Sequence, residues 1–202
     1  MKTREHGEQQ LIDSLAADLA GSFERLMETY QDRLYSLALR LSGNAQDAEE
    51  IAQDAFVRAY RALRDYPAER IAALALRPWL YRITLNVYRN KVRGKRVSVV
   101  PLEESSESDG QTGSGRQEPQ SSERERPEEA TVQAELREEL AALLAALPER
   151  YRAAVVLRYV EDLSYAELAE TLEQPIGTVK TNVHRGIRQL RESLSGLADD
   201  GR

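Results

Sequence analysis

Apolar residues recur at helical spacing along two blocks of the chain, and the first block begins near residue 20. Its first stripe is made of large apolar residues and comprises Phe23, Leu26, Tyr30, Leu34, Leu37 and Leu41. Ser42 and Gly43 form a helix-ending signal, and Asn44 can cap the next helix. The apolar face of that helix comprises Ala48, Ile51, Ala52, Ala55, Phe56, Ala59 and Leu63. The pattern predicts two consecutive helices joined by a tight turn.

The second block, from about residue 131, opens with two apolar helical segments. The first is a leucine series before Pro148 that comprises Leu136, Leu140, Leu143, Leu144 and Leu147. Because the residue before a proline avoids the helical region, we expect this helix to end at Pro148. Residues 151–160, with the sequence YRAAVVLRYV, predict a second helix.

A capping box marks the start of the next helix. Ser164 is followed three residues later by Glu167, so the serine side chain can accept from one backbone N–H and the glutamate from another. We expect this helix to end near Leu172, and Pro175 lies in the turn that follows. A further helix should begin at Gly177 or one residue later. This arrangement is typical of a helix-turn-helix.

The last helix has one apolar and one cationic face. Its apolar stripe comprises Val179, Val183, Ile187, Leu190 and Leu194, and at about 100° per residue the opposite face carries Thr181, His184, Arg185 and Arg188. Lys180 and Arg191 flank the stripe, and no acid occurs from Gln174 to Arg191. Such a helix suits the major groove of DNA, where arginine and lysine contact base edges and phosphates. The alternative is an amphipathic helical hairpin whose basic face is merely solvated.

The two blocks are separated by a polar stretch, residues 98–130, that has almost no large apolar residues after Leu102. Such a composition cannot bury enough surface to order itself, so we expect a flexible linker. Residues 103–129 contain nine acids and three arginines, and this acidic excess of six equals the formal net charge of the whole chain, −6. The two helical blocks together are therefore close to neutral.

Composition excludes several classes of site. The 202 residues contain no cysteine and only two histidines, His6 and His184, so thiolate chemistry, cysteine-bound zinc and histidine-rich metal sites are excluded. We expect no cofactor, no metal and no catalytic residue. No stretch approaches about 18 consecutive apolar residues, so no membrane insertion is expected. The sequence predicts an all-α chain of two small helical domains joined by a disordered acidic linker, the C-terminal one a four-helix domain with a helix-turn-helix.

Acidic and amide side chains share one face of the second predicted helix. Asp47, Glu50 and Asp54 lie there, with Gln53 beside them. Clustered carboxylates can bind metal, but a helical di-metal site usually needs nearby histidines, and none is present here. A docking face for a basic or amide-rich partner fits better, and a plain solvated helix face is the alternative.

A basic segment closes the first block. Residues 77–96 contain seven arginines and lysines and no acid, and on a helix one stripe comprises Arg82, Asn86, Arg89 and Arg93. With Trp79, Tyr81 and Tyr88 nearby, this stripe suits a nucleic-acid backbone and stacking on unpaired bases. The alternatives are a membrane-surface helix and a plain basic face. Trp79 itself is more easily explained as a core residue.

Four ordered motifs together resemble one family. They are DAEEIAQDAFVRAY, RPWLYRITLNVYRNKVR, LPERYRAAVVLRYVEDLSYAELAETL and PIGTVKTNVHRGIRQLR, in this order and with a polar linker after the second. The chain resembles the extracytoplasmic-function branch of bacterial RNA polymerase sigma factors. The resemblance implies a cytoplasmic, non-enzymatic initiation factor that binds the clamp helices and flap of core polymerase and promoter DNA. It also implies an anti-sigma factor, which could hold the chain at the membrane.

The resemblance assigns a role to each block. The implied divisions are an N-terminal extension, 1–19; a region 2 domain, 20–96; the linker, 97–130; a region 4 domain, 131–196; and a tail, 197–202. Three faces follow. The docking face, for polymerase, comprises Asp47, Glu50, Gln53 and Asp54. The minus-ten face, for the melted promoter strand, comprises Arg82, Asn86, Arg89 and Arg93. The minus-thirty-five face comprises Lys180, Thr181, Asn182, His184, Arg185 and Arg188.

At some positions the chain departs from the family pattern, and two other functions remain as alternatives. It implies that the loop from Tyr66 to Arg77 forms a pocket for an extruded base, although its many alanines and leucines suit burial. The family usually has glycine where this chain has Glu173, so we expect a differently built turn, and commonly arginine where it has Asn182. A free-standing helix-turn-helix regulator would need a dimer interface, for which no apolar helix is left over. A nuclease would need converging metal ligands.

Overall fold

The computed structural model describes residues 2–97, 136 and 139–200, and every regular element in these residues is helical. The helices are α1 (Lys2–Ala17), α2 (Leu19–Ser42), α3 (Ala45–Arg64), α4 (Ala68–Ala72), α5 (Leu76–Val97), α6 (139–146), α7 (Glu149–Tyr159), α8 (Tyr165–Leu172) and α9 (Ile176–Asp200). The all-α prediction is confirmed. The predicted flexible linker lies outside the described residues.

The N-terminal domain is built on α2, α3 and α5, which pack through the predicted apolar faces. The turn between α2 and α3 has the predicted signals. Gly43 adopts the left-handed conformation with φ 68°, and its N–H donates to the carbonyl of Leu39. The Asn44 side chain then accepts from the backbone N–H of Asp47 at 2.9 Å. Because both helix ends are satisfied in one short turn, α3 returns directly along α2.

Helix α1 was not predicted. It buries Leu11, Ile12 and Leu15 against α2 and α4. Glu8 Oε1 also accepts from the backbone N–H of Arg77 at 3.2 Å, in the first turn of α5. The N-terminal extension is therefore part of the domain and supplies a capping acceptor to α5. The adjacent pair Leu11 and Ile12 with Leu15 one turn later is a short helical signal in the sequence.

The C-terminal domain comprises α6 to α9, and its core lies between α7 and α9. Gly186 of α9 faces α7, and of the described glycines in α9 it is the one that lies close to that helix. A Cβ atom there would lie 2.6 Å from Val155 Cγ2 and 3.3 Å from the carbonyl oxygen of Tyr151. The predicted leucine series is only partly buried, because Leu136 and Leu140 are exposed while Leu144 and Leu147 are in the core.

The helix-turn-helix keeps an ordinary glycine-type turn although glycine is absent. Ser164 and Glu167 form the predicted capping box at the start of α8. At its end Glu173 adopts the left-handed conformation with φ 54° and ψ 45°. Its N–H and that of Gln174 donate to the carbonyls of Glu170 and Ala169, which is the hydrogen-bond pattern of a Schellman motif. The expectation of a differently built turn is therefore wrong.

The two domains pack against each other, α5 on α8 and α2 on α7. Within this contact the hydroxyl of Tyr81 donates to Glu161, and both residues are buried. The hydroxyl of Thr171 donates to the carbonyl of Pro78 at 3.4 Å. Arg152 of α7 donates to the carbonyl of Leu41 of α2. The contact is thus polar and specific, and it involves the basic helix α5 directly.

Candidate functional site

The minus-ten face lies along one side of α5, as predicted, but its members differ in environment. Asn86 and Arg93 are exposed, while Arg82 and Arg89 are partly covered by the C-terminal domain. Arg89 Nε lies 3.0 Å from Glu149 Oε1. Arg82 Nη1 lies 3.7 Å from Glu173 Oε1. Two cations of this face are thus paired with carboxylates of the other domain.

The aromatic residues beside this face are not positioned for stacking on bases. Trp79, Tyr81 and Tyr88 are all buried, with exposed fractions of 4%, 0% and 5%. The interpretation of Trp79 as a core residue is confirmed. Burial raises the pKa of Tyr81 well above its usual value, and the negative charge of Glu161 raises it further. Tyr81 is therefore a neutral donor at any physiological pH.

Arg77 and Glu167 form a further ion pair between the domains. Arg77 Nη2 lies 3.1 Å from Glu167 Oε1, and each side chain is two thirds or more covered. Burial by itself would raise the pKa of Glu167, but hydrogen bonds from Ser164 and from Arg77 outweigh it and lower the pKa below the usual 4.5. Glu167 thus serves both the capping box and the domain contact. Arg77, which belongs to the predicted basic segment, therefore pairs with an acid of its own chain.

The docking face is presented by α3. Glu50, Gln53 and Asp54 are exposed, and Asp47 is partly covered. Lys91 of α5 lies 3.2 Å from Asp47 Oδ1 and also pairs with Glu50. These two ion pairs raise the pKa of Lys91, the hydrogen bond to Glu50 most of all. The docking face, which was predicted to bind a basic partner, thus already forms ion pairs with one lysine of its own domain.

The minus-thirty-five face lies on the N-terminal half of α9, with one exception. Lys180, Thr181, His184, Arg185 and Arg188 are exposed. Asn182 is 7% exposed, and its Nδ2 donates to Gln174 Oε1 at 3.0 Å, so its side chain braces the turn of the helix-turn-helix. The prediction did not anticipate this, although Asn182 follows Val179 of the apolar stripe by three residues, and residues three apart lie on the same side of a helix.

Two cations of α9 are positioned by aromatic residues. Lys180 Nζ lies 5.6 Å from the ring centre of Tyr165. Arg185 Nη1 donates to the Tyr151 hydroxyl at 3.5 Å, and Arg150 donates to the same oxygen at 3.1 Å. These two hydrogen bonds, that from Arg185 foremost, lower the pKa of Tyr151. The start of the helix thus presents cations whose orientation is restricted by α7 and α8.

The loop from Tyr66 to Arg77 contains α4 and is partly folded into the core. Ile71 and Leu76 are buried, and Leu74 is partly buried against the core. Tyr66 remains partly exposed, with the Arg70 guanidinium 3.7 Å from its ring centre. In the part of the loop rich in alanine and leucine, the large residues thus reach the core, whereas Ala72, Ala73 and Ala75 are exposed. A base pocket in this loop stays a prediction.

The described part of the chain shows neither a metal cluster nor a membrane-spanning helix. In residues 2–97, 136 and 139–200 no group of three or more acidic, histidine or cysteine side chains is placed to hold a metal ion. In the same ranges no helix is long and apolar enough to cross a membrane.

Comparison with known proteins accounts for both domains. The profile of the family described as Sigma-70 region 2 matches residues 26–97. The profile described as Sigma-70, region 4 matches residues 137–190. The ECF RNA polymerase sigma factor SigW of Bacillus subtilis is 35% identical over 176 residues, which are 87% of this chain and 90% of that protein. The chain belongs to the ECF RNA polymerase sigma factors. The family implied by the four sequence motifs is therefore confirmed, and the protein acts in transcription initiation.

Solved structures share the fold of this sigma factor. CnrH, in its complex with the cytosolic domain of CnrY, has a TM-score of 0.64 at 22% identity, covering 93% of this chain and 97% of that one. The sigma factor RpoE from Bartonella quintana, in complex with the anti-sigma factor NepR, has a TM-score of 0.62 at 22% identity, covering 86% and 96%. At this identity both likenesses concern the fold alone.

Proposed function

We propose that this sigma factor uses three helix faces for three separate binding interactions. The docking face of α3 binds core polymerase, the minus-ten face of α5 binds the melted promoter strand, and the minus-thirty-five face of α9 reads duplex DNA. The observation that carries the proposal is the exposed cationic half of α9, Lys180 to Arg188, at the start of the second helix of a helix-turn-helix. Asn182 supports the turn rather than contacting DNA.

The minus-ten step depends on polymerase for a physical reason. Unpairing and extruding a promoter base costs on the order of a few kcal/mol. Cations on α5 can offset this only when the domain is already held beside the DNA, since the exposed part of the minus-ten face is small. The free protein is therefore a weak DNA binder, and promoter specificity belongs to the complex with polymerase.

A partner that masks the protein is part of the proposal. The RpoE relative is bound to an anti-sigma factor in its structure, and we extend this kind of regulation to the present chain. The protein works in the bacterial cytoplasm, and an anti-sigma factor could hold it at the membrane. A free-standing helix-turn-helix regulator is not favoured, because region 2 occupies the N-terminal half of the chain.

Run-off transcription with core polymerase on a library of promoters tests the proposal. Polymerase with this sigma factor should select a common pair of elements, and the protein alone should give no footprint. The docking face is tested with Glu50→Gln combined with Asp54→Asn in a core-binding assay, which should weaken binding. Glu24→Gln combined with Glu28→Gln removes two exposed acids from α2 and is the charge-matched control. Equal binding by both double variants would reject the docking face.

A further inference from the structure

Helix α1 packs beside the loop that joins α3 to α5, residues 66–77. We propose that α1 is a positioning element for this 66–77 loop, and that Glu8 is the residue that fixes the end of the loop at the start of α5. This role rests on the proposed function, because it matters for DNA only if region 2 binds the melted promoter strand. It gives the N-terminal extension, to which the sequence motifs assign no role, a part in reading the promoter.

The middle of the loop is held by α1. Among the described helices α1 is the main packing neighbour of α4, which has few or no contacts with α3 and α5 although it lies between them in the chain. The buried side chains are Ile71 of α4 and Leu11, Ile12 and Leu15 of α1. A five-residue helix is too short to be stable by itself. The position of α4 therefore depends on the apolar face of α1.

The end of the loop is held by Glu8. The first turn of α5 has no capping side chain next to it in the chain, because Ala75 stands where serine, threonine, aspartate or asparagine would cap. Pro78 has no N–H, so the amides of Leu76 and Arg77 are the ones that need an outside acceptor. Glu8 Oε1 accepts from the N–H of Arg77 at 3.2 Å, across 69 positions of the chain. A residue of α1 thus takes the part of an N-cap residue for α5.

Glu8 is itself held by a buried tyrosine of α2. Tyr30 is 3% exposed, and its hydroxyl donates to the Glu8 carboxylate. Burial raises the pKa of Tyr30 well above its usual value, and the negative charge of Glu8 raises it further, so Tyr30 is a neutral donor at physiological pH. One carboxylate therefore joins α1, α2 and the start of α5.

The loop and the minus-ten face share one helix. The 66–77 loop ends in the first turn of α5, and Arg82 and Asn86 follow within the next three turns. A strand whose backbone binds this face can place an extruded base in a pocket of the loop only when the loop is in one position. If the loop shifts, the strand is bound only by the fraction of molecules in which the loop is in place. Loss of the Glu8 bond should therefore slow promoter opening.

The expected size follows from the effect of helix caps. Removal of an N-cap side chain shifts the equilibrium at a helix end by about 2-fold to 30-fold, with about fivefold as the central value. Amides of the 66–77 loop and of the first turn of α5 exchange with solvent through local opening, so their exchange should be about fivefold faster without the Glu8 acceptor. Promoter opening should be slower by up to the same factor, about fivefold.

The experiment compares three variants of the whole chain. Glu8→Ala removes the acceptor, and Glu8→Gln keeps an oxygen that can accept from the same N–H. Asp13→Ala is the charge-matched control, because Asp13 is an exposed acid of the same helix whose carboxylate accepts from Gln9 one turn away.

Two measurements separate the loop from the rest of the protein. Hydrogen exchange read by mass spectrometry follows residues 66–80, and peptides of α3 report global unfolding. Promoter opening by the complex with core polymerase is followed with 2-aminopurine in the minus-ten element of a promoter that the wild type selects from the run-off library. Binding of core polymerase and of duplex minus-thirty-five DNA is measured on the same samples.

Glu8→Ala should show faster exchange confined to residues 66–80 and about fivefold slower opening, with both binding measurements unchanged. Glu8→Gln should restore most of the protection and of the opening rate. Unchanged exchange in Glu8→Ala overturns the role of α1 and leaves the proposed function standing. Faster exchange with unchanged opening also overturns it, because the loop then takes no part in reading the strand.

Two further outcomes have separate meanings. Exchange that is faster in α3 as well would show that Glu8 stabilises the whole domain, which overturns a specific role for the loop. If the wild-type polymerase complex opens none of the library promoters, the proposed function itself fails, and the positioning role fails with it.

Discussion

Glu149 Oε1 lies 3.0 Å from Arg89 Nε and joins the first turn of α7 to the middle of α5. Each residue belongs to a different region of the sigma factor, and the two are 60 positions apart in the chain. In the sequence Arg89 is part of a stripe without acids. In the folded protein an acid of region 4 pairs with it. The minus-ten face of region 2 therefore carries less unpaired positive charge than the sequence alone indicates.

Gly186 lies where α9 crosses α7 closely, and Gly186→Ala should destabilise region 4. The new methyl group would lie 2.6 Å from Val155 Cγ2, so either the Val155 side chain or the helices themselves must move. Overpacking of this kind costs about 1 to 3 kcal/mol of unfolding free energy. Urea unfolding followed by circular dichroism measures it.

Gly177→Ala is the matched control for that prediction. It lies in the same helix, and no atom lies within 4 Å of its added Cβ. It should raise stability, by about 0.5 to 1 kcal/mol, because alanine favours the helix. A Gly186→Ala protein as stable as this control would show that α7 and α9 are not in close contact.

Glu173 holds a left-handed conformation, and Glu173→Gly should relieve its strain. Its φ of 54° costs a residue with a Cβ about 1 kcal/mol relative to glycine. Glu173→Ala is the appropriate comparison, since it loses the same ion pair to Arg82 but keeps the Cβ. Thermal unfolding should rank the glycine variant above the alanine variant. The reverse order would contradict the turn geometry.

Glu167 should make the stability of the protein depend on pH in acid. Its pKa in the folded protein is below the usual 4.5, because bonds from Ser164 and Arg77 outweigh its burial. The stability that it contributes is therefore fully present above about pH 4.5 and is lost as pH falls through the lower, folded-state pKa. Melting temperatures of the wild type and Glu167→Gln should differ at pH 7 and converge in acid.

The same change of residue type elsewhere in α8 provides a control. Glu170 is exposed, and its side chain makes no bond in the described structure. Glu170→Gln should therefore leave the melting temperature at pH 7 close to that of the wild type, whereas Glu167→Gln lowers it. A Glu167→Gln difference that is the same at pH 7 and in acid would disprove the role of its charge.

Arg185 and Asn182 are three positions apart on α9, and their replacement by alanine should affect different properties, DNA binding for Arg185 and stability for Asn182. Arg185→Ala should weaken binding of the polymerase complex to minus-thirty-five DNA and lower the salt slope of log K by about 0.9, the value for one lost phosphate contact. Its side chain is exposed, so stability should change little.

Asn182→Ala should instead lower stability, by about 1 kcal/mol, since its amide bonds Gln174 in a buried position. Unfolding of the protein alone and DNA binding at several salt concentrations distinguish the two roles. A changed salt slope with unchanged stability for Asn182→Ala would place its side chain on DNA.

Local signals predicted most of the helices. The signals at Gly43, Asn44 and Ser164 act within a few residues of themselves, so they can be read from sequence, and the structure has each of them. Helix α1 was missed, because its apolar residues are few and its burial depends on α4. The burial of the leucine series was overestimated at its start, since Leu136 fits the helical spacing but is exposed.

What the sequence by itself determined is the family, the periodic faces and the caps, because these depend on residue types at short spacing. Only the tertiary structure decided which polar side chains of those faces are open to a partner. Arg82 and Arg89 look like Asn86 and Arg93 in a helical projection, yet among the described residues the acids of region 4 pair, on this face, only with Arg82 and Arg89. Long charged side chains pair with whatever the fold brings near them, and that neighbour lies far away in the chain.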